Sequence, residues 1–409
     1  MRRNLFLIPV FLLTAAAAAQ QKAVLTEDEF LSVLDGEHPA TVALSGDLGA
    51  AEAKRQQAAL LSDPRLEFNR EQPDVVPRET VWGIAWTPPL DGRRRWAVRA
   101  AEAAVEAERS SFESDRARLR LEMRRAFADW VGGHTRVAIL GELSGRLEAL
   151  AQRMRHRADS GEESLLNARR LEIAFGNATA ALSEATAEAS AARAEATAWL
   201  VPVGTYSASD LSAIQPRLPE LPEAPESVDS DLRPGLVAAY FRVDQAEAFE
   251  RLSKRVVAAP EILLGWKTIE GSAIEFDGPV FGLNWTVPVF DRRQADRLAA
   301  KNALTAARAH SEWVAQEAKS ELAAAEAAYT ELRRSALFAQ EALAGLSDVV
   351  RAASAAYEHG ESSVTDLLDT LRAVLDARLS ALELYLAALE AHRDLEFATG
   401  RSLTPGGLS

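Results

Sequence analysis

The sequence predicts a mainly α-helical chain with a transmembrane β part, assembled from two internal repeats. Three observations predict it. Residues 278–293 read GPVFGLNWTVPVFDRR, where Phe281, Leu283, Trp285, Val287 and Val289 alternate with Gly282, Asn284 and Thr286. Large apolar against small or polar, with period 2, is the pattern of a strand. After Asp291 the composition turns rich in Arg, Ala and Glu at helical spacing, so a strand feeds directly into a very long helix. The same passage occurs earlier: Val81, Gly83, Trp86, Thr87, Pro89, Arg93 and Arg94 recur as Val280, Gly282, Trp285, Thr286, Pro288, Arg292 and Arg293. In the same register, Gly161, Glu162 and Ser164 recur as Gly360, Glu361 and Ser363. Two anchors at one offset define a duplicated unit of roughly 200 residues.

Composition narrows the class. The 409 residues are 48% hydrophobic and 26% charged, enough to bury a core, and the net charge of −14 argues against nucleic acid as a partner. The absence of cysteine excludes disulfides, thiolate chemistry and a lipid on an N-terminal cysteine. Residues 1–19 carry Arg2 and Arg3, an apolar run over 5–13 and alanines at 15–19, the plan of a secretory signal peptide. A membrane anchor helix is the other reading, but the run falls short of the ~20 residues needed to span. Any later passage through a membrane must then be made by strands.

Repeat 1 covers 20–200. A helical stretch from about Thr26 to Leu61, broken near Gly36 and His38, ends at Asp63-Pro64. Hairpin 64–89 follows, with Leu66, Phe68, Trp82, Ile84 and Trp86 on one face and Glu67, Asn69, Gly83 and Ala85 on the other. Long helices over 91–158 and 162–200 are separated by a turn at Ser160-Gly161; Gly132-Gly133 marks either a bend or a close helix contact. A proline-rich linker, 201–233, leads to repeat 2 at 234–400. Its hairpin, 260–289, places Ile262, Leu264 and Trp266 on the face shared with Phe281, Leu283 and Trp285. Long helices over 291–358 and 361–399 and a tail, 401–409, complete the chain. At ~1.5 Å per residue the longer helices reach roughly 100 Å, and their alanine content suits antiparallel coiled-coil packing.

Four strands per chain cannot close a barrel, and open edges are not tolerated in hydrocarbon. Two copies would give eight strands with a filled interior; three would give twelve and a lumen. A small soluble sheet packed on its apolar face is the alternative.

The mature chain resembles the outer-membrane efflux proteins of the TolC family. The resemblance rests on the two strand-to-helix junctions, 82–94 and 281–293, on Tyr357, Gly360, Ser363, Val364, Asp366, Leu368 and Asp369, and on 161–167. It implies a trimeric twelve-stranded barrel, four strands per chain, continuing into a long α-helical coiled-coil barrel. It also implies a location in the bacterial outer membrane, with the helical part in the periplasm. The implied role is the exit duct of a tripartite efflux or type I secretion system, passively conducting substrates from a periplasmic adaptor (membrane fusion) protein and an inner-membrane pump. Short hairpins are similar to those of its heavy-metal (cobalt-zinc-cadmium type) branch. By the same resemblance Asp366 and Asp369, with Tyr357 and Asn167, lie at the periplasmic entrance. Gly161, Glu162, Ser164, Gly360, Glu361 and Ser363 would form the adaptor-docking tips. Two positions depart from better-known members: Ser362 stands in place of an arginine and Asn167 in place of an acid.

The physics of the tip leaves two readings. Carboxylates three apart share a helix face and could ring a pore that attracts cations, or they are solvated acids favoured by the start of a helix. Arg93, Arg94, Arg292 and Arg293 sit at helix beginnings, where cations are disfavoured, so lipid phosphates or acids of a neighbouring subunit are expected to compensate. No hydrolase, zinc-protease, phosphate-loop or dinucleotide motif is present, and the six histidines are dispersed without ligand spacing. Neither an enzyme nor a bound metal or cofactor is expected. The competing function is a soluble periplasmic coiled-coil adaptor or scaffold.

Overall fold

The computed structural model describes residues 24–35, 38–71, 77–203, 215–223, 225, 229–271 and 275–401. The expected signal peptide, the tail beyond 401 and the tips of both hairpin loops lie outside them. A short strand β1 (Val24–Leu25) precedes α1 (Glu27–Leu31), which Thr26 opens by accepting from Glu29 N at 3.3 Å while its own N–H donates to the Glu29 carboxylate at 2.9 Å. Pro39 begins α2 (Pro39–Ala59), at the first helical position where its missing N–H costs nothing. Repeat 1 continues with β2 (Arg65–Glu71), β3 (Arg78–Trp86), α3 (Arg93–Asp159) and α4 (Leu165–Ala198). The linker contributes β4 (Gln215–Pro216), parallel to β1. Repeat 2 comprises α5 (Pro234–Ser253), β5 (Glu261–Glu270), β6 (Glu275–Asn284), α6 (Gln294–Ala342), α7 (Leu346–Glu358) and α8 (Val364–Thr399).

Two expectations are corrected. The last strand stops at Asn284, the partner of Glu261, because nothing beyond it has a neighbouring strand to pair with; Val287 and Val289 belong to an irregular segment. The single helix expected over 291–358 is two helices. Gly345, at φ +86, closes α6 and opens α7 in the left-handed region that glycine adopts without penalty. By contrast, α3 runs its 67 residues without a break.

The hairpins join edge to edge in the order β2-β3-β5-β6, leaving the outer edges of β2 and β6 without a partner strand among the described residues. Gly83 opposes Gly265 at this seam, where a Cβ on Gly83 would lie 2.8 Å from the Leu264 carbonyl oxygen. Around α3 pack α2, α4, α5 and α8, while α6 lies against α5 and α8. The Gly132-Gly133 pair is a helix contact rather than a bend. A Cβ at Gly132 would come 2.6 Å from Leu386 of α8, and one at Gly133 would come 3.1 Å from the Ala189 backbone of α4.

The core is divided along the bundle. Midway, Phe30 and Leu34 fill a cluster with Met123, Phe127, Trp130 and Leu200. Beside it Tyr329 of α6 packs on Leu395 of α8 and donates its hydroxyl to the linker carbonyl of Pro222, as Tyr385 does to Pro219 at 2.7 Å. Between these clusters runs a buried ionic network. Arg393, 2% exposed, donates to Glu27 at 3.0 Å; Arg124 donates to the same carboxylate at 2.6 Å and also pairs with Glu396. His392 is buried with its ring edge on Tyr329 and Nδ1 3.8 Å from Glu396; burial pushes its pKa below the ordinary imidazole value.

Candidate functional site

The sheet presents one face in rows. Leu66, Ile84, Leu264 and Phe281 are cross-strand partners in succession; so are Phe68, Trp82, Trp266 and Pro279, and next to the helices Trp86, Ile262 and Leu283. Every one of these apolar side chains stands exposed, and so does Trp285. The opposite face is Gly-rich and charged. There Arg65 bridges Glu67 and Glu261, each at 2.8 Å, and Lys267 bridges Glu79 at 2.5 Å. An apolar face left uncovered beside a hydrated one is what a wall between lipid and water requires.

Where the wall meets the helices, both repeats carry the same latch. The indole N–H of Trp86 donates to the Ser62 carbonyl at 2.9 Å, and that of Trp285 donates to the Ala258 carbonyl at 3.0 Å, each from the end of a second hairpin strand to the segment before the first. Each ring thus keeps its apolar body outward and its polar atom satisfied. The arginines beside them find acceptors inside the chain. Arg93 donates to the Arg255 carbonyl at 2.8 and 3.0 Å and Arg94 to the Ala59 carbonyl at 3.2 Å, where α5 and α2 end. The negative ends of two helices therefore compensate these cations within the chain. Arg293 pairs with Asp296 at 2.9 Å and adopts φ +56, while Arg292 remains exposed.

At the far end the two helical turns lie side by side. Gly161 (φ +78) and Gly360 (φ +74) terminate α3 and α7 in matching motifs: Glu162 N donates to the Arg157 carbonyl and Glu361 N to the Ala356 carbonyl, each at 2.8 Å. Cross-links hold the pair together. Arg153 meets Glu358 at 2.9 Å, Arg170 meets the Thr365 hydroxyl at 3.1 Å, and Tyr357 donates to Met154 Sδ at 3.2 Å.

Tyr357 is therefore turned into the tip core, half-buried, and burial raises its pKa. Ser363 and Asp366 form a reciprocal cap. The serine hydroxyl accepts from Asp366 N at 3.2 Å, while the carboxylate accepts from Ser363 Oγ at 2.7 Å and Ser363 N at 3.0 Å, which holds it below the usual carboxylate range. Asp369 is exposed, with Arg372 at 3.6 Å. In the first tip Ser164 accepts from Leu166 N at 3.2 Å. Glu163, which sequence reasoning passed over, takes the acidic part: it accepts from Ser164 N and from Asn167 Nδ2, both at 3.1 Å. Those contacts hold Glu163 low as well. Glu162 and Glu361 remain exposed.

The fold recurs in solved structures. CusC, described as undergoing conformational changes that accompany folding and transmembrane channel formation, aligns over 92% of both chains with TM-score 0.75 and 16% identity. The CmeC outer membrane channel of Campylobacter jejuni aligns over 91% of this chain and 85% of its own (TM-score 0.74, 14%). The open state of the MtrE outer membrane channel of Neisseria gonorrhoeae aligns over 92% and 89% (TM-score 0.70, 18%). Residues 231–401 match the family described as Outer membrane efflux protein. No match was found among curated protein sequences.

Proposed function

We propose, for a chain whose residues 231–401 match the outer membrane efflux protein family and whose fold recurs in such channels, that three copies form an outer-membrane exit duct whose helical part reaches through the periplasm to an adaptor and a pump. The observation that carries this reading is the four-stranded sheet with one wholly uncovered apolar face and two unpaired edges, continuous with helices of roughly 100 Å. An open-edged sheet is unstable in hydrocarbon, so closure by further copies is what the chemistry asks for. Twelve strands leave a lumen, and the Gly-rich, charged face would line it. Conduction along such a lumen is passive; no set of residues arranged for covalent chemistry is needed.

The paired tips are the proposed contact for the adaptor, through Gly161, Glu162, Ser164, Gly360, Glu361 and Ser363. Their exposed turns, braced against each other, support this. Asp366 and Asp369 are the proposed entrance carboxylates. Asp366 has a structural duty in its cap, and Asp369 carries its charge beside Arg372. Asparagine at both positions keeps hydrogen-bonding reach while removing charge. In planar bilayers the purified protein should conduct, with multivalent cations blocking the wild type and not the Asp366→Asn/Asp369→Asn variant. Equal block in both would remove the entrance assignment. A monomer released with the soluble periplasm would remove the duct itself.

A further inference from the structure

The three apolar rows of the wall are too few to fill a bilayer. At ~3.4 Å per residue and a tilt of about 40°, rows two residues apart place the outermost two about 10 Å from each other, against an apolar band of about 25 Å in barrels of this kind. The next row away from the helices is polar: Arg70, Thr80, Thr268 and Asp277. Towards the helices the apolar surface continues after the strands have ended. Phe290 is 94% exposed and Leu90 75%, in the irregular segments 285–293 and 87–92. Val287 and Val289 stand out beside Phe290, as do Leu60 and Val257 at the ends of α2 and α5.

Irregular backbone is normally kept out of lipid because its polar groups would go unpaired. Several carbonyls at this level are hydrogen-bonded by side chains, in both repeats. Trp86 serves Ser62, Ser62 Oγ serves Thr87 at 2.9 Å, Trp285 serves Ala258, Arg93 serves Arg255 and Arg94 serves Ala59. Apolar side chains pointing outward, beside carbonyls that take their donors from the inward side, favour insertion.

We propose that the strand-to-helix junctions form a collar that inserts among the acyl chains of the periplasmic leaflet, so that the lipid-facing height of the wall extends past its strands. The inference rests on the reading of the chain as an outer-membrane duct, and its test separates the two. Because the chain contains no cysteine, single nitroxide labels can be placed through Leu90→Cys and Phe290→Cys, with Leu283→Cys on the strands and Glu184→Cys on exposed α4 as references. All four sites are exposed, so the core is untouched. The full-length mature protein is reconstituted in phosphatidylethanolamine–phosphatidylglycerol vesicles, and label relaxation by oxygen is compared with that by an aqueous nickel complex. The ratio at 90 and 290 should match that at 283 and exceed that at 184. Collision with nickel at 90 and 290, or shielding from both reagents as at a protein interface, overturns the collar while 283 still reports lipid. An aqueous signal at 283 as well overturns the duct reading instead.

Discussion

The two repeats share a strand-to-helix junction, a tryptophan latch and a glycine turn, yet their long helices lead different lives. In α3, side chains are buried along the whole length, from Ala100 to Met154; in α6 only Ser311, Ala318, Tyr329 and Ala336 are. α3 is the axis of its own chain, whereas α6 leaves its flank, with Trp313 and Phe338, uncovered. Duplication supplied one design, and packing then divided it into an inner member and a member that faces outward. The helix enclosed by neighbours is unbroken; the one with an open flank is interrupted at Gly345.

The most severe way to break this contrast is to cut the ionic network that fastens α3 to the N-terminal segment and to α8. Glu27→Ala removes the carboxylate paired directly with buried Arg393, and the expected cost is about 3–5 kcal/mol, read by hydrogen exchange over the middle of the bundle. The network is also pH-sensitive. His392 has a pKa lowered by burial, so the unfolded chain binds more protons and stability falls as pH drops below the ordinary histidine value of about 6.5. His392→Gln should flatten that dependence. Next in size is Gly133→Val, which drives a side chain into the Ala189 backbone and should cost about 1–3 kcal/mol. The corresponding stretch of α6 carries Glu331, exposed beside Arg334, where alanine should change stability by less than about 0.5 kcal/mol.

At about 1 kcal/mol, and opposite in sign to each other, come two glycine substitutions. Neither Gly145 in α3 nor Gly345 has any atom within 4 Å of an added Cβ. Gly145→Ala lies in a regular helix and should stabilise by up to about 1 kcal/mol, whereas Gly345→Ala must adopt φ +86 and should destabilise by about 1 kcal/mol. If both change stability in the same direction, the break is not set by the left-handed residue. At the tips, Ser363→Ala should fray the start of α8 by about 1 kcal/mol and more than Ser164→Ala frays α4, since Asp366 reciprocates only in the second cap. The contribution of Asp366 is present above the usual carboxylate range and is lost as pH falls through its lowered value. Amide exchange of residues 164–168 and 363–367 checks both.

Much of this was legible because local chemistry announced it. Alternation from Phe281 to Leu283 and from Trp82 to Trp86 named the outward face residue by residue, since period 2 has no other structural meaning over that length. Asp366 and Asp369 also read as acids at the start of a helix, and α8 begins two residues before the first of them. What stayed hidden required knowledge of distant neighbours. The members of the ionic network come from α1, α3 and α8, and nothing near Glu27 points to Arg393. Arg93 and Arg94 looked uncompensated because their acceptors, the carbonyls of Arg255 and Ala59, belong to other helix ends. Gly345 sits in the same alanine-rich pattern as Gly145, and sequence spacing does not distinguish a helical glycine from a left-handed one. Tyr357 has the composition of a gate residue, and only the position of Met154 shows that its hydroxyl points inward.

The pairing of β3 with β5 fuses both hairpins of a chain into one ribbon, and it leaves free hydrogen-bonding groups along the outer edges of β2 and β6. Biogenesis inherits an order from that. In the proposed duct a solitary chain would carry two adhesive margins that membrane lipid rejects and that another copy satisfies, so that sealing the ring and entering the bilayer would coincide.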